Sequence, residues 1–193
     1  MPRMTINDRP VEFDLDPDMP LLYALREAAN LTGTKSGSGR EDCTCNACMV
    51  MVDGTALRSC RITLAEAEGR LITTVEGLSR DRSHPLQQAM VAEQAIQCGF
   101  CTPGIVMAGA ALLQRNPAPS KAEIEETIEN ICRCGVYPRL VEAIQRAGRV
   151  SQRNESLSAA PAPGIEAADA AERVPALRAL PPGASDQIEA PGD

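Results

Sequence analysis

The chain has 193 residues and a formal net charge of −7, and aromatic residues make up only 2% of it. This acidic balance excludes nucleic acid as the main partner, because phosphate binding needs a basic face. No run of eighteen apolar residues occurs, and residues 1–10 lack the apolar core of a secretory signal. We therefore expect neither a membrane span nor a signal of its own.

The first part of the chain is typical of a small sheet. Apolar and polar residues alternate at 4–6 and 11–15 on either side of Asn7 and Asp8, which predicts a β-hairpin. The same signals, with Asp53-Gly54 as the turn of a second hairpin, predict the remaining strands at residues 49–52, 55–58 and 71–75.

A helix is predicted between the two hairpins. Asp18 is a suitable N-cap residue, and Pro20 suits the first helical position. Its buried face is predicted from helical spacing to consist of Leu21, Leu22, Leu25 and either Ala28 or Ala29. We therefore expect a small mixed sheet with one helix, which holds a cysteine loop.

From about residue 81 the pattern predicts four helices, at residues 85–94, 104–115, 120–130 and 138–147. Thr102 is the expected cap of the second of these helices, with Pro103 opening it. Ser120 and Glu123 form a capping box that begins the third. The cysteines of this half then lie in the turns between helices.

The segment 151–193 has a different composition, rich in alanine, proline, serine and acidic residues without sustained periodicity. Such a composition predicts disorder. A short docking segment at 174–180 is the alternative.

The eight cysteines fall into two groups. The first is Cys43, Cys45, Cys48 and Cys60, and the second is Cys98, Cys101, Cys132 and Cys134. Without a secretory signal, such spacings favour metal sites over disulfides. Both zinc and iron–sulfur clusters are held by four thiolates, so a zinc protein that scaffolds partners remains an alternative to redox centres.

The motifs around these cysteines resemble those of a known family. They are Gly-Thr-Lys at 33–35, Cys-x-Ala-Cys at 45–48, Gln-Cys-Gly-Phe-Cys-Thr-Pro-Gly at 97–104 and Asn-Ile-Cys-Arg-Cys-Gly at 130–135. Together they are similar to the small iron–sulfur subunit of xanthine-oxidase-type molybdenum hydroxylases, such as isoquinoline 1-oxidoreductases and bacterial molybdenum aldehyde dehydrogenases. The resemblance covers about residues 4–148.

The resemblance implies an α+β fold with two [2Fe–2S] clusters. Residues 1–77 would form a β-grasp domain like a plant-type ferredoxin, and residues 78–150 a four-helix domain that holds the second cluster. In the family the second cluster lies beside the molybdopterin cofactor of a large partner subunit. Gln97 and Cys134 match the residues that contact the pterin there.

The first cysteine group departs from the family pattern. Ser38 stands where the first ligand belongs, and two residues are inserted before Cys45. Three readings remain open: Cys43 supplies the missing ligand, Ser38 ligates through oxygen, or the first cluster is incomplete or absent. The ligand set that we expect is Cys43, Cys45, Cys48, Cys60, Cys98, Cys101, Cys132 and Cys134.

The implied function is electron transfer from a molybdenum site that oxidises an aldehyde or an N-heterocycle, through two clusters, to an external acceptor such as a cytochrome c. We find no residue set for acid–base or nucleophilic catalysis in this chain, since its one histidine, His84, has no evident partner. A free-standing two-cluster ferredoxin is a further alternative. Either the cytoplasm or, through export with a partner, the periplasm is the expected compartment.

Overall fold

The computed structural model describes residues 1–37, 43–79 and 83–157. Ser38, and with it the reading in which its oxygen ligates, lies outside the described residues. So do the possible docking segment at 174–180 and most of the segment predicted to be disordered. Within the described ranges, no helix has both the length and the apolar character needed to cross a bilayer.

The described residues form a mixed α+β structure with one five-stranded sheet. Its strands are β1 (Arg3–Ile6), β2 (Arg9–Glu12), β3 (Met49–Val52), β4 (Thr55–Arg58) and β5 (Leu71–Thr73). They lie in the order β2-β1-β5-β3-β4. Only the central β1–β5 pair is parallel, and the other neighbours are antiparallel.

Both predicted hairpins are confirmed, and both turn through residues with positive φ. Asn7 and Asp8 have φ of 49° and 64°, and Asp53 and Gly54 have φ of 50° and 81°. Such values are those of a two-residue type I′ turn, whose twist matches the twist of the paired strands. The Asn7 turn is also tied to the strand end after β5, because the Thr74 N–H donates to Asn7 Oδ1 at 2.9 Å.

The second strand lies earlier than predicted. β2 spans Arg9–Glu12 instead of residues 11–15. The tight turn sets this limit, because it places Arg9 opposite Ile6, and the four-residue pairing then ends where Arg3 meets Glu12.

The helix predicted after the first hairpin exists but begins differently. It consists of α1 (Leu21–Tyr23), which continues as a π-helical turn over Ala24–Ala28. Asp18 is not its cap: Pro20 is the N-cap residue and no side chain caps the helix. The Leu21 N–H instead donates to the Ile62 carbonyl at 2.8 Å, so a neighbouring extended segment satisfies the helix start.

This helix and the sheet enclose one apolar core with almost no aromatic contribution. Its buried members are Met4, Ile6, Phe13, Leu21, Ala24, Leu25, Val50, Val52, Leu64, Ala67 and Ile72. The leucines predicted for the helix face are therefore buried as expected, with Leu22 also inaccessible.

Four helices follow: α2 (Pro85–Ala92), α3 (Thr102–Arg115), α4 (Lys121–Thr127) and α5 (Tyr137–Ser151). They surround a second core built from small and aliphatic residues, among them Leu86, Met90, Ile105, Ala108, Ile124, Leu140, Ala143, Ile144 and Ala147. The helical half was therefore predicted correctly in number and order of elements. The boundaries at 77 and 150 stay predictions.

In the helical half, one predicted helix cap is confirmed and one is wrong. Ser120 and Glu123 form the expected capping box at the start of α4. Thr102 is instead the first residue of α3, because the N-cap position is taken by Cys101, which makes no side-chain cap bond. The helix thus starts immediately at a cysteine of the second group.

The sheet and the helices are in direct contact. Met51 of β3 packs with Met107 and Ala111 of α3 in a small buried cluster. The loop just before β3, which carries part of the first cysteine group, is therefore held close to the start of α3.

Candidate metal centres

The first cysteine group is assembled by the two ends of the β3–β4 hairpin. Cys43, Cys45 and Cys48 lie in the loop that leads into β3, and Cys60 lies in a short 3₁₀ turn, Ser59–Arg61, directly after β4. Cys43 and Cys48 are buried, whereas Cys45 and Cys60 are half-buried. The two ends of a hairpin lie side by side, so Cys45 and Cys60 belong to one group although they are fifteen residues apart in sequence.

The thiols of this group contact one another. The Sγ atoms of Cys43 and Cys45 are 3.1 Å apart. Burial, followed by a hydrogen bond with the Cys48 thiol, raises the pKa of Cys60 to about 12. Burial likewise raises the pKa of the Cys45 thiol, and Cys43 and Cys48 add to that effect. A bound cation would favour the thiolate forms of Cys45 and Cys60, whose pKa values are raised without one.

Hydrogen bonds fix the backbone around this group. The Cys48 carbonyl accepts from the Ser59 N–H at 3.2 Å and from the Ser59 hydroxyl at 2.8 Å. The Arg58 guanidinium donates to the Cys43 carbonyl at 3.1 Å. Cys43 is therefore anchored to the end of β4, next to the position of Cys60.

Gly37 closes the loop from the other side. A Cβ on Gly37 would collide with the Cys45 Sγ and would lie 3.6 Å from the Cys43 Sγ. The space beside these thiols thus depends on the absence of a side chain, as expected where backbone passes close to a bound group.

The second cysteine group lies at helix starts. Cys98 is exposed, and Cys101 is buried as the N-cap residue of α3. Cys132 is buried and Cys134 half-buried in the loop before α5. Gly99 and Gly135, with φ of 78° and 71°, make the sharp turns beside each pair.

Backbone donors favour the ionised form of one thiol in this group. Burial acts to raise the pKa of Cys132, but hydrogen bonds from the Val136, Cys134 and Gly135 backbone and from the Cys101 thiol outweigh it, so the pKa lies below its usual value. Burial and the bond to Cys132 raise the pKa of Cys101 to about 12. Such N–H groups are the surroundings that a thiolate-bound cluster requires.

Among the described residues, no three histidine, cysteine, aspartate or glutamate side chains are arranged to hold a single metal ion. A two-iron cluster is held by one pair of thiolates at each of its two irons, so its four ligands need not converge on one point. The paired spacing of both groups agrees with that requirement.

Gln97, the residue predicted to reach a partner's pterin, is exposed just before Cys98. Cys134, predicted for the same contact, is half-buried. Both residues lie in the loops that carry the second cysteine group, and their contact with the pterin stays a prediction.

Two residues that organise the site were not predicted from the sequence. Asn130 was recognised only as part of a motif, and Tyr137 had no role. The Asn130 Nδ2 donates to the Asn46 carbonyl at 2.6 Å, and the Tyr137 hydroxyl accepts from the Cys132 N–H at 2.7 Å. Their positions beside the second cysteine pair were the available signal, but Asn46, the partner of the Asn130 side chain, lies 84 residues away in sequence.

Comparison with known proteins supports the interpretation of the second cysteine group as an iron–sulfur site. Residues 74–145, which include the whole second cysteine group, match the family model of the [2Fe-2S] binding domain. One subunit of nicotinate dehydrogenase from Pseudomonas putida is 45% identical over 152 residues, which cover 78% of this chain and 96% of that relative. The alpha subunit of isoquinoline 1-oxidoreductase from Brevundimonas diminuta is 44% identical, with 75% and 95% covered.

Solved structures agree with these relatives. Quinoline 2-oxidoreductase from Pseudomonas putida 86 superimposes with a TM-score of 0.73 at 39% identity, over 80% of this chain and 96% of that chain. The aldehyde oxidoreductase of Desulfovibrio desulfuricans gives a TM-score of 0.75 at 36% identity, and the match spans only 17% of that longer chain.

These matches favour iron–sulfur redox chemistry and do not favour the zinc scaffold. The nicotinate dehydrogenase and isoquinoline 1-oxidoreductase subunits are matched over nearly their whole length at more than 40% identity. The chain therefore belongs to the small iron–sulfur subunits of the xanthine-oxidase family of molybdenum hydroxylases.

Proposed function

We propose that this chain conducts electrons between a molybdopterin-binding large subunit, which oxidises an aldehyde or an N-heterocycle, and an external acceptor such as a cytochrome c. The second cysteine group faces the molybdenum partner, and the first faces the acceptor. The observation that carries the proposal is the second cysteine group, which lies entirely within residues matching a [2Fe-2S] binding domain.

In this proposal each group of four thiols holds one [2Fe–2S] cluster. The second cluster takes Cys98, Cys101, Cys132 and Cys134, and the first takes Cys43, Cys45, Cys48 and Cys60. The donor chemistry fits, since both sets consist of thiols alone, which are the ligands of such clusters. A bound cluster supplies one-electron redox chemistry, and the chain's own residues supply ligands, N–H donors and insulation from water.

The choice of Cys43 over Ser38 rests on its position. Cys43 is only 9% exposed, and its sulfur lies 3.1 Å from that of Cys45. Its carbonyl is fixed by Arg58, the residue at the end of β4. A cysteine that is buried and anchored beside three further thiols is well placed to replace the ligand lost at position 38.

The surface near the second group supports a large partner there. Four large hydrophobic side chains that lie within three residues of its cysteines remain exposed: Ile96, Phe100, Ile131 and Tyr137. Phe100 is 48% and Ile131 58% exposed. A groove of about 820 Å³, lined partly by Val91, Ile96 and Val106, adjoins the same face. Apolar surface concentrated in this way is typical of a protein interface.

Purification of the tagged chain from cells that also express its large partner tests this function. We expect molybdenum, about four irons per chain and a similar amount of acid-labile sulfide. A preparation that contains zinc alone and has no visible absorbance contradicts the proposal. A chain that retains its iron but purifies as a monomer supports the free-standing ferredoxin instead.

The contact between Gln97 and the pterin has a separate test. Gln97→Ala should lower turnover of the complex while iron and molybdenum contents stay unchanged, because only one hydrogen bond across the interface is lost. Gln152→Ala, at an exposed position after α5, is the matched control. Equal turnover of the two variants refutes the role of Gln97.

A further inference from the structure

Two hydrogen bonds join the first cysteine loop to the second. The Ile131 N–H donates to the Cys45 carbonyl at 3.2 Å. One residue earlier, the Asn130 Nδ2 donates to the Asn46 carbonyl at 2.6 Å, across 84 residues of sequence. Consecutive residues of one loop thus bind consecutive residues of the other.

The Asn130 side chain is sealed into this contact. Asn130 is 2% exposed, and Asn46 is 8% exposed. Gly104 of α3 closes the third side, because a Cβ there would collide with the Asn46 carbonyl oxygen and would lie 2.9 Å from the Asn130 Nδ2. A buried amide of this kind is costly to leave unpaired, so the two loops are strongly held in one register.

Tyr137 holds Asn130 from the opposite end. Its hydroxyl accepts from the Cys132 N–H at 2.7 Å and donates to the Asn130 carbonyl at 3.2 Å. Tyr137 is the first residue of α5. The loop between α4 and α5 is therefore fixed to the helical core on one side and to the first cysteine loop on the other.

We propose that Asn130 and Tyr137 are positioning residues that set the spacing and coupling of the two redox centres. The proposal rests on the proposed function, in which Cys45 and Cys132 are ligands of different clusters. Electron transfer slows steeply as centres separate and as bonded contacts between them are replaced by gaps. The Ile131–Cys45 hydrogen bond connects one ligand with the neighbour of another, and Asn130 and Tyr137 keep that bond closed.

The test compares Asn130→Ala and Tyr137→Phe with matched controls in the whole complex. The controls are Asn154→Ala and Tyr23→Phe, at exposed positions away from both cysteine groups. The first measurement is hydrogen exchange at the Ile131 amide. The second is the magnetic interaction between the two cluster signals in electron paramagnetic resonance (EPR) spectra of the dithionite-reduced complex, together with iron content.

We expect Ile131 exchange to become about tenfold faster in Asn130→Ala, as the loss of a buried hydrogen bond implies. The magnetic interaction should weaken in both variants at unchanged iron content, and the controls should match the wild type. The proposal is overturned if both variants show wild-type exchange at the Ile131 amide and a wild-type magnetic interaction between the clusters. If the wild type itself lacks two cluster signals, the proposed function fails, and Ile131 exchange then decides alone whether Asn130 joins the loops.

Discussion

At the scale of single residues, the site depends on one cysteine in an unusual place. Cys43 lies two positions before Cys45, and the residue in the family's usual ligand position is Ser38. The contact between the Cys43 and Cys45 sulfurs and the Arg58 bond to the Cys43 carbonyl place this thiol inside the first group. We therefore propose Cys43 as the residue that completes the ligand set of the first cluster.

Substitution of Cys43 tests this dependence. Cys43→Ala should lower the iron content from about four to about two per chain and remove one of the two EPR signals of the reduced complex. Ser38→Ala is the control and should leave iron content and both signals unchanged. The reverse pattern, with loss on changing Ser38 alone, would assign the ligand to the serine oxygen.

Gly104 is a second position where one added atom, the Cβ of an alanine, should change the stability of the complex. Gly104→Ala should destabilise the complex by about 1–3 kcal/mol, because the new Cβ meets the backbone of Asn46 and Ala47, which cannot move without shifting Cys45 and Cys48. This cost should exceed the gain of about 1 kcal/mol in helix propensity. Thermal unfolding measures the difference.

Gly109→Ala is the matched control in the same helix. A Cβ at Gly109 meets only side-chain ends, Leu86 Cδ2 at 2.9 Å and Ile144 at 3.5 Å, which can shift. It should therefore be the milder change. If Gly104→Ala proves as stable as Gly109→Ala, the close approach of α3 to the cysteine loop is wrong.

At the scale of elements, α2 has a cap that depends on pH. His84 is its N-cap residue, and the Nδ1 of His84 accepts from the Leu86 N–H at 3.2 Å. Burial lowers the pKa of His84 below its usual value. The unfolded chain, with a histidine pKa of about 6.5, therefore takes up this proton at higher pH than the folded chain.

The stabilisation from neutral His84 is complete above about pH 6.5 and is lost as the pH falls from there through the lower pKa of the folded state. The melting temperature should therefore fall more between pH 7.5 and 5.5 in the wild type than in His84→Asn, which keeps a capping acceptor without a titrating group. His84 is the only histidine, so no other imidazole confuses the comparison. Equal decreases in both proteins contradict this role.

The elements that were predicted correctly are those whose cause is local. The type I′ turns at Asn7-Asp8 and Asp53-Gly54 and the capping box of Ser120 each depend on residues within four positions. The start of α1 was predicted wrongly because the N–H of its first residue, Leu21, donates to the carbonyl of Ile62, about forty residues away. The cap of α3 was predicted wrongly because Cys101, not Thr102, occupies the N-cap position.

At the scale of the whole molecule, the spacing of the cysteines predicted two groups of four, but not the contact between the loops that carry them. Nothing in the sequence near Asn130 points to Asn46, 84 residues earlier, yet this bond joins the two loops. The sheet and the helical half also meet where α3 packs on β3 through Met51, Met107 and Ala111. Long-range arrangements of this kind follow from the packing of whole elements, which local patterns do not specify.

The part of the chain that the structure describes is thus organised around two cysteine loops joined by hydrogen bonds. The hairpin β3–β4 gathers the first set of thiols, and the starts of α3 and α5 frame the second. Exposed apolar side chains are concentrated beside the second set, where we propose the molybdenum partner. We propose that electrons cross the chain in this order, from the second set of thiols to the first.

EPR spectroscopy of the purified, dithionite-reduced complex tests that path most directly. We expect two distinct [2Fe–2S] signals with a magnetic interaction between them, at about four irons per chain. A single [2Fe–2S] signal at about two irons per chain, from a complex that still turns over substrate with its acceptor, would contradict it.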